Sequence, residues 1–295
     1  MKLFKAMGSG AIRSVKAYKG VIVIWFFYLI LVSLLTIPAK GAIKTGFGNS
    51  MIMEQLKDGI NIEVFSDLDM QLKSIISSFS SVLLLVILLG VIMNAFLSGG
   101  LFNSLKGNKD NLKISEFFRS SARHFWSFLG VTVLVGLMVM ILGIIIIGLP
   151  FGIAYRGDSG PGTSTSVFLL IGMIIYCITI IILLLVVDYS RAWIVTSEKS
   201  SCFKALGFGF SRTFRFFLSS FPMMLLLMII IILFSWITLR LVGLWNPGTG
   251  FGALLLFIVS QLLFFCRLLL KAWRYGSVTA LMEINSPDRS EQEEK

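Results

Sequence analysis

Four polar side chains fall within long apolar runs or at their edges: Asn94, Asp188, Gln261 and Arg267. An ionised group at mid-bilayer costs about 2.5–3.5 kcal/mol on insertion scales, so each must face protein or water. Asp188 and Arg267 lie at similar distances from the ends of their runs and can pair across helices, and Asp188 can equally pair with Arg191, one turn away. A fixing salt bridge, with the arginine reaching toward the headgroups, is the expected use; an ion or substrate pathway is the sharper alternative. Asn94 and Gln261, nearer mid-depth, are expected to hydrogen-bond between helices. His124 is the only histidine and has no cysteine or carboxylate at ligand spacing, so it reads as an interfacial side chain rather than a metal ligand. Cys177, Cys202 and Cys266 are far apart and form neither a CxxC pair nor a disulfide framework. Gly8-x-Gly10 and Gly207-x-Gly209 lack the third glycine and the preceding strand of a nucleotide fingerprint, and fit a bend or a close helix approach instead. With no clustered acid, base or nucleophile, no catalytic residue, metal or cofactor is expected and the chain is not read as an enzyme.

The elements that carry these residues follow from composition. Of 295 residues 56% are hydrophobic and 14% charged, too apolar for a surface facing water. The net charge of +11 is spread in short blocks between apolar runs, which sets orientation in a membrane and argues against a nucleic-acid partner. A span needs about 20 mostly apolar residues. Six runs qualify, over 21–38, 75–102, 125–149, 167–187, 216–239 and 251–273. Inside lipid each must be helical to satisfy its own backbone, so the expected fold is an all-α polytopic membrane bundle. The first run is expected to be an uncleaved anchor, its apolar core exceeding that of a secretory signal.

Lys and Arg in the N-terminal segment, the second and fourth connections and the C-terminal end number five each, which makes 20 of the 26. That places both termini in the cytoplasm. Trp25, Trp126, Trp193 and Trp273 at inner ends and Trp236 and Trp245 at outer ends agree. The organisation is one six-span domain over 1–285 and a charged tail over 286–295. Gly41, Gly46 and Gly48 read as a loop opening the outer segment Ala39–Lys73, and Ser66-Asp67-Leu68-Asp69 as the N-terminal cap of a helix that starts above the second span. The outer connections Pro150–Ser166 and Gly243–Gly250, the latter with its Asn246-Pro247-Gly248 turn, read as loops.

On the cytoplasmic side Phe4-Lys5-Ala6-Met7-Gly8-Ser9-Gly10 recurs as Phe203-Lys204-Ala205-Leu206-Gly207-Phe208-Gly209. The register continues through Arg13 and Arg212, then Lys16 and Arg215; a looser third copy runs over Ile114–Phe128. Each is expected to be a basic, aromatic-rich helix lying at the inner surface, in a parallel internal repeat of helical hairpins. Lys5, Arg13, Lys16, Lys204, Arg212 and Arg215 are the expected contacts to anionic lipid headgroups.

Six spans, a longer first outer loop, Asp188-Tyr189-Ser190-Arg191, then Ser200-Ser201-Cys202-Phe203-Lys204-Ala205-Leu206 and Ser211-Arg212 resemble a bacterial group of six-span membrane proteins of unknown function. That group is similar to the membrane domain attached to some glycerophosphodiester phosphodiesterases. The resemblance covers most of the chain, rests on layout and a few positions, and implies an all-helical fold with no catalytic residues. The sequence holds no soluble phosphodiesterase domain, so hydrolase activity does not come with it. The expected function is a non-enzymatic scaffold or lipid-interacting factor, with membrane lipids and either a second copy or another membrane protein as partners. The alternative is a small-solute transporter whose path is lined by Asn94, Gln261 and Asp188.

Overall fold

A computed structural model describes residues 2–47, 69–106, 113–154, 163–197, 201–245 and 247–285. Among them there is no strand. The helices are α1 (Lys2–Lys16), α2 (Tyr18–Phe47), α3 (Asp69–Leu105), α4 (Ile114–Gly143), α5 (Leu149–Ala154), α6 (Thr163–Ser197), α7 (Cys202–Arg215), α8 (Phe217–Gly243) and α9 (Gly250–Ile284). A π-helical turn, Ile144–Gly148, joins α4 to α5. Five helical stretches are long and apolar enough to cross a bilayer: Val82–Leu105, Ile114–Gly152, Leu169–Ser197, Phe217–Gly243 and Gly250–Ile284. The pair Leu3–Lys16 and Tyr18–Leu34, bent by 67°, makes a sixth when taken together. The chain is an all-α polytopic helical bundle.

Helix extends further than the expected loops allow. It runs through Pro38, Gly41 and Gly46 to Phe47, where a span ending at Pro38 and a glycine-rich loop were expected. Proline removes only one N–H from the ladder, and a helix already propagating tolerates it better than it would tolerate exposing the backbone to lipid. Likewise Pro150 to Ala154, expected as loop, is α5: it continues the helical path of α4 through the π-helical turn, and Pro150 removes one N–H from a helix already propagating. The connection after Gly243 is a loop as expected, and α9 opens with Thr249 accepting a bond from the Gly252 N–H at 3.2 Å. The helix carrying the second span starts at Asp69, ahead of the apolar run, whereas the cap residues Ser66–Leu68, Asn246 and the tail 286–295 lie outside the described residues.

Two compact units divide the chain: Ile24–Asn94, and Met1–Val23 with Ala95–Lys295. In the smaller, Tyr28 Oη donates a long bond of 3.5 Å to Asn94 Oδ1. In the larger, the closest packing gathers where the basic segments lie, which we call the basic end. There α1 lies on the C-terminal part of α9, α7 on that of α6, and the start of α4 on the end of α3. Each contact is a glycine against a serine. A Cβ on Gly10 would lie 2.5 Å from Ser277 N and one on Gly209 would lie 2.6 Å from Val186 O and against Ser190 Oγ. A Cβ on Gly100 would lie 2.5 Å from Ser121 Oγ. Ser277 and Ser190 both turn their hydroxyls back onto their own helices, to Trp273 O at 2.9 Å and Val186 O at 2.7 Å, which leaves a flat surface for the glycine.

The first two contacts correspond in detail. Positions 3–16 and 202–215 follow the same order of buried, half-buried and exposed residues throughout. Both helices break at the matching residue, with Ala17 N bonded to Arg13 O at 3.0 Å and Phe216 N to Arg212 O at 3.1 Å.

Candidate functional site

At the basic end Asp188 of α6, fully buried, meets Arg274 of α9. Arg274 Nε lies 3.0 Å from Asp188 Oδ2 as an ion pair without hydrogen-bond geometry, and its Nη2 donates to Oδ1 at 3.4 Å. The third arm, Nη1, reaches the Met228 thioether of α8 at 3.7 Å, a weak acceptor. The guanidinium also lies over the Tyr275 ring, 4.9 Å from its centre, and that ring stacks on Phe102 of α3 at 4.6 Å. Tyr189 beside Asp188 shares a 2.7 Å bond with Ser220, so α6, α8 and α9 are tied by polar contacts at one level. Burying two charges carries a large desolvation cost, and losing one partner strands the other.

The pairing differs from both sequence expectations. Arg267 is exposed, and the partner is Arg274, two turns further along the same stripe of α9. Arg191 is 3% exposed but turns away from Asp188: its Nη2 donates to Thr132 of α4 at 2.9 Å and its guanidinium sits 5.6 Å from the centre of the Phe128 ring. Lys271, one turn before Arg274, lies over the other part of the Tyr275 environment, 5.9 Å from the ring centre. Counting Lys271 and Arg274 as topological charges at the end of the chain hid them. Their spacing inside an unbroken apolar helix, Lys271-x-x-Arg274, was the signal available.

His124 is also placed differently from its interfacial expectation. It is 6% exposed, with Phe128 6.3 Å away, because it falls on the inward stripe of α4 with Ser121 and Phe128, while Arg123 and Trp126 point out. Among the described residues no group of His, Cys, Asp and Glu could hold a metal. Gln261 is half-buried.

The six expected headgroup residues separate into two kinds. Lys5, Lys16, Lys204 and Arg215 are exposed. Arg13 and Arg212 are half-buried and used for docking: Arg13 pairs with Glu283 at 2.6 Å and reaches Leu105 O at 3.4 Å, and Arg212 reaches Asn285 O at 3.4 Å. At roughly 100° per residue α1 presents three arcs. Ala6, Met7, Gly10 and Ser14 face protein; Phe4, Gly8, Ile12 and Val15 form an exposed apolar arc; Lys5, Ser9, Arg13 and Lys16 complete the circle. In α7 the same arcs hold Ala205, Leu206, Gly209 and Thr213; Phe203, Gly207 and Phe214; and Lys204, Arg212 and Arg215. Phe4 and Phe203 are 74% and 72% exposed, Val15 and Phe214 65% and 61%. Large apolar side chains therefore stand open beside cations on both helices.

Comparison with protein-family models, curated proteins and solved structures gives no match. The apolar helices themselves identify a multi-pass integral membrane protein.

Proposed function

We propose that this is a non-enzymatic, lipid-contacting protein of the bacterial inner membrane, with six spans, both termini in the cytoplasm, and α1, α7 and the start of α4 at the inner headgroup level. The observation that carries the reading is the three-arc surface shared by α1 and α7: one arc docked, one apolar and exposed, one cationic. Such a helix gains about 1 kcal/mol per basic residue near an anionic surface. The 20 basic residues assigned to the same side support the orientation. We read α1–α2 and α7–α8 as copies of one unit in a parallel repeat; the matching burial, the matching break and the matching glycine–serine contacts support that reading. The resemblance to the six-span bacterial group is in keeping with this layout. A transporter path would need Asp188 to line it, and a carboxylate with no exposure, held by Arg274, weighs the other way.

The test uses the exposed cations alone. Full-length protein carrying Lys5→Glu, Lys16→Glu, Lys204→Glu and Arg215→Glu is extracted in native nanodiscs beside the unaltered protein, and the lipid that comes with each is quantified. The expected result is a lower ratio of phosphatidylglycerol to phosphatidylethanolamine around the variant. An unchanged ratio, with the variant still folded, removes the proposal.

A further inference from the structure

Both basic helices meet the end of α9. Arg13 of α1 pairs with Glu283 at 2.6 Å, and Arg212 of α7 donates from Nη1 to the Asn285 carbonyl at 3.4 Å. Asn285 caps α9, so the chain that follows it leaves the helix beside the cationic arc of α7. That arc holds Lys204, Arg212 and Arg215, and α7 contains no carboxylate to offset them. Arg212 lies over the rings of Phe208 and Phe216, 5.2 and 5.4 Å from their centres, while Lys204 and Arg215 are exposed. Residues 286–295 lie outside the described residues, but their sequence is acidic: Asp288, Glu291, Glu293 and Glu294 stand against Arg289 and Lys295. Four of the chain's 15 carboxylates therefore follow directly on the point where α9 meets the arc. An extended residue spans at most about 3.3–3.6 Å, which gives Asp288 a reach of about 10 Å from Asn285 and Glu294 about 30 Å. Arg212 and Lys204 are about 12 Å apart along their helix, so the whole arc is within range.

We infer that the acidic segment 288–294 docks on the cationic arc of α7 and there competes with anionic lipid headgroups for Lys204 and Arg215. The occupant is this chain's own tail because its tether begins at the arc, which holds the carboxylates at an effective concentration in the millimolar range, roughly, and because the two charges are opposite. The matching arginine of α1 already faces a carboxylate, Glu283, whereas Arg212 faces a carbonyl, and this favours α7 over α1 as the partner. Exposed ion pairs are individually weak and screened by salt. The tail therefore covers the arc where the bilayer offers no anionic headgroup and gives way where it does, so that lipid composition sets how firmly α7 engages the membrane. The competition rests on the lipid-contact reading; the docking does not.

The test is zero-length cross-linking of full-length protein with a carbodiimide, which joins a carboxylate to a lysine amine only where they touch. Unlabelled and heavy-isotope chains are mixed in vesicles of phosphatidylcholine, alone or with an equal part of phosphatidylglycerol, and the linked peptides are read by mass spectrometry. We expect Lys204 joined to Glu291, Glu293 or Glu294 of the same chain in phosphatidylcholine, with a yield that falls about two- to fivefold in high salt or with phosphatidylglycerol. Neutralising the tail by Asp288→Asn, Glu291→Gln, Glu293→Gln and Glu294→Gln, which alters none of the described helices, is expected to raise the phosphatidylglycerol ratio around the protein in native nanodiscs about twofold. Absence of the Lys204 link, links to other lysines alone, or links only between light and heavy chains overturn the docking, the last assigning the arc to a second copy. Equal yield in the two bilayers, or an unchanged lipid ratio around the neutralised tail, overturns the competition. Failure of the lipid-contact reading has a different signature: the lipid ratio ignores the four charge reversals on α1 and α7, yet the Lys204 link forms and yields to salt, which leaves the docking alone standing. A missing link with a lipid ratio that still answers those reversals removes the tail contact and keeps the lipid reading.

Discussion

Asp188 and Arg274 hold each other in a place where neither could stand alone. Removing one side, as in Asp188→Leu or Arg274→Met, leaves an uncompensated charge and is expected to cost about 3–5 kcal/mol. The double substitution, which replaces both by apolar groups, is expected to recover most of that loss, because the desolvation of two ions disappears with their attraction. Thermal unfolding of the three variants in one detergent checks it; equal destabilisation by the double variant and the sum of the singles would mean that the pair is not coupled. The exposed end of the Arg13–Glu283 bridge sets a contrast: with Glu283 38% exposed, Glu283→Gln is expected to shift stability by no more than about 1 kcal/mol. Which arginine meets Asp188 was not legible beforehand. Arg267 and Arg274 share a stripe of α9, and counting residues estimates depth only to within the tilt and offset of two helices, while the two candidates differ by about 10 Å along the axis.

At the scale of elements the glycines separate into two kinds that the repeated Gly-x-Gly pattern does not distinguish. Gly8 and Gly207 have open space where a side chain would go, whereas Gly10 and Gly209 meet backbone and hydroxyl atoms of the neighbouring helix. Gly207→Ala is therefore expected to be neutral or to stabilise by up to about 1 kcal/mol through helix propensity. Gly209→Ala is expected to destabilise by about 1–3 kcal/mol, because Val186 O at 2.6 Å belongs to a helix backbone that cannot step aside without moving α6. Melting curves of the two variants, measured together, decide the matter by sign. The close helix approach was anticipated from the small residues, but only one glycine of each pair serves it. The other faces outward because two residues along a helix turn through about 200°, to the opposite face.

Within the larger compact unit the basic helices α1 and α7 gather at one end, and the orientation of the whole molecule is the side of the membrane on which that end lies. Alkaline phosphatase fused after residue 285 is expected to be inactive, and fusions within 48–68 or 155–162 active, since only a reporter exported from the cytoplasm folds; the reverse pattern would invert the orientation. The all-helical, multi-pass character was readable from the amino acids alone. Run length against bilayer thickness is a property of a line, and Val82–Leu105 or Phe217–Gly243 could not hide in that measure. The extent of helix beyond the apolar runs, through Pro38 and into Ala154, was less legible because proline and glycine signals were weighed as they would be in water. Tertiary structure alone decided which faces meet: Arg274 rather than Arg267 on Asp188, Arg191 on Thr132, and His124 turned inward. Rotation, tilt and offset between helices set those contacts, and they arise only when all the helices pack together.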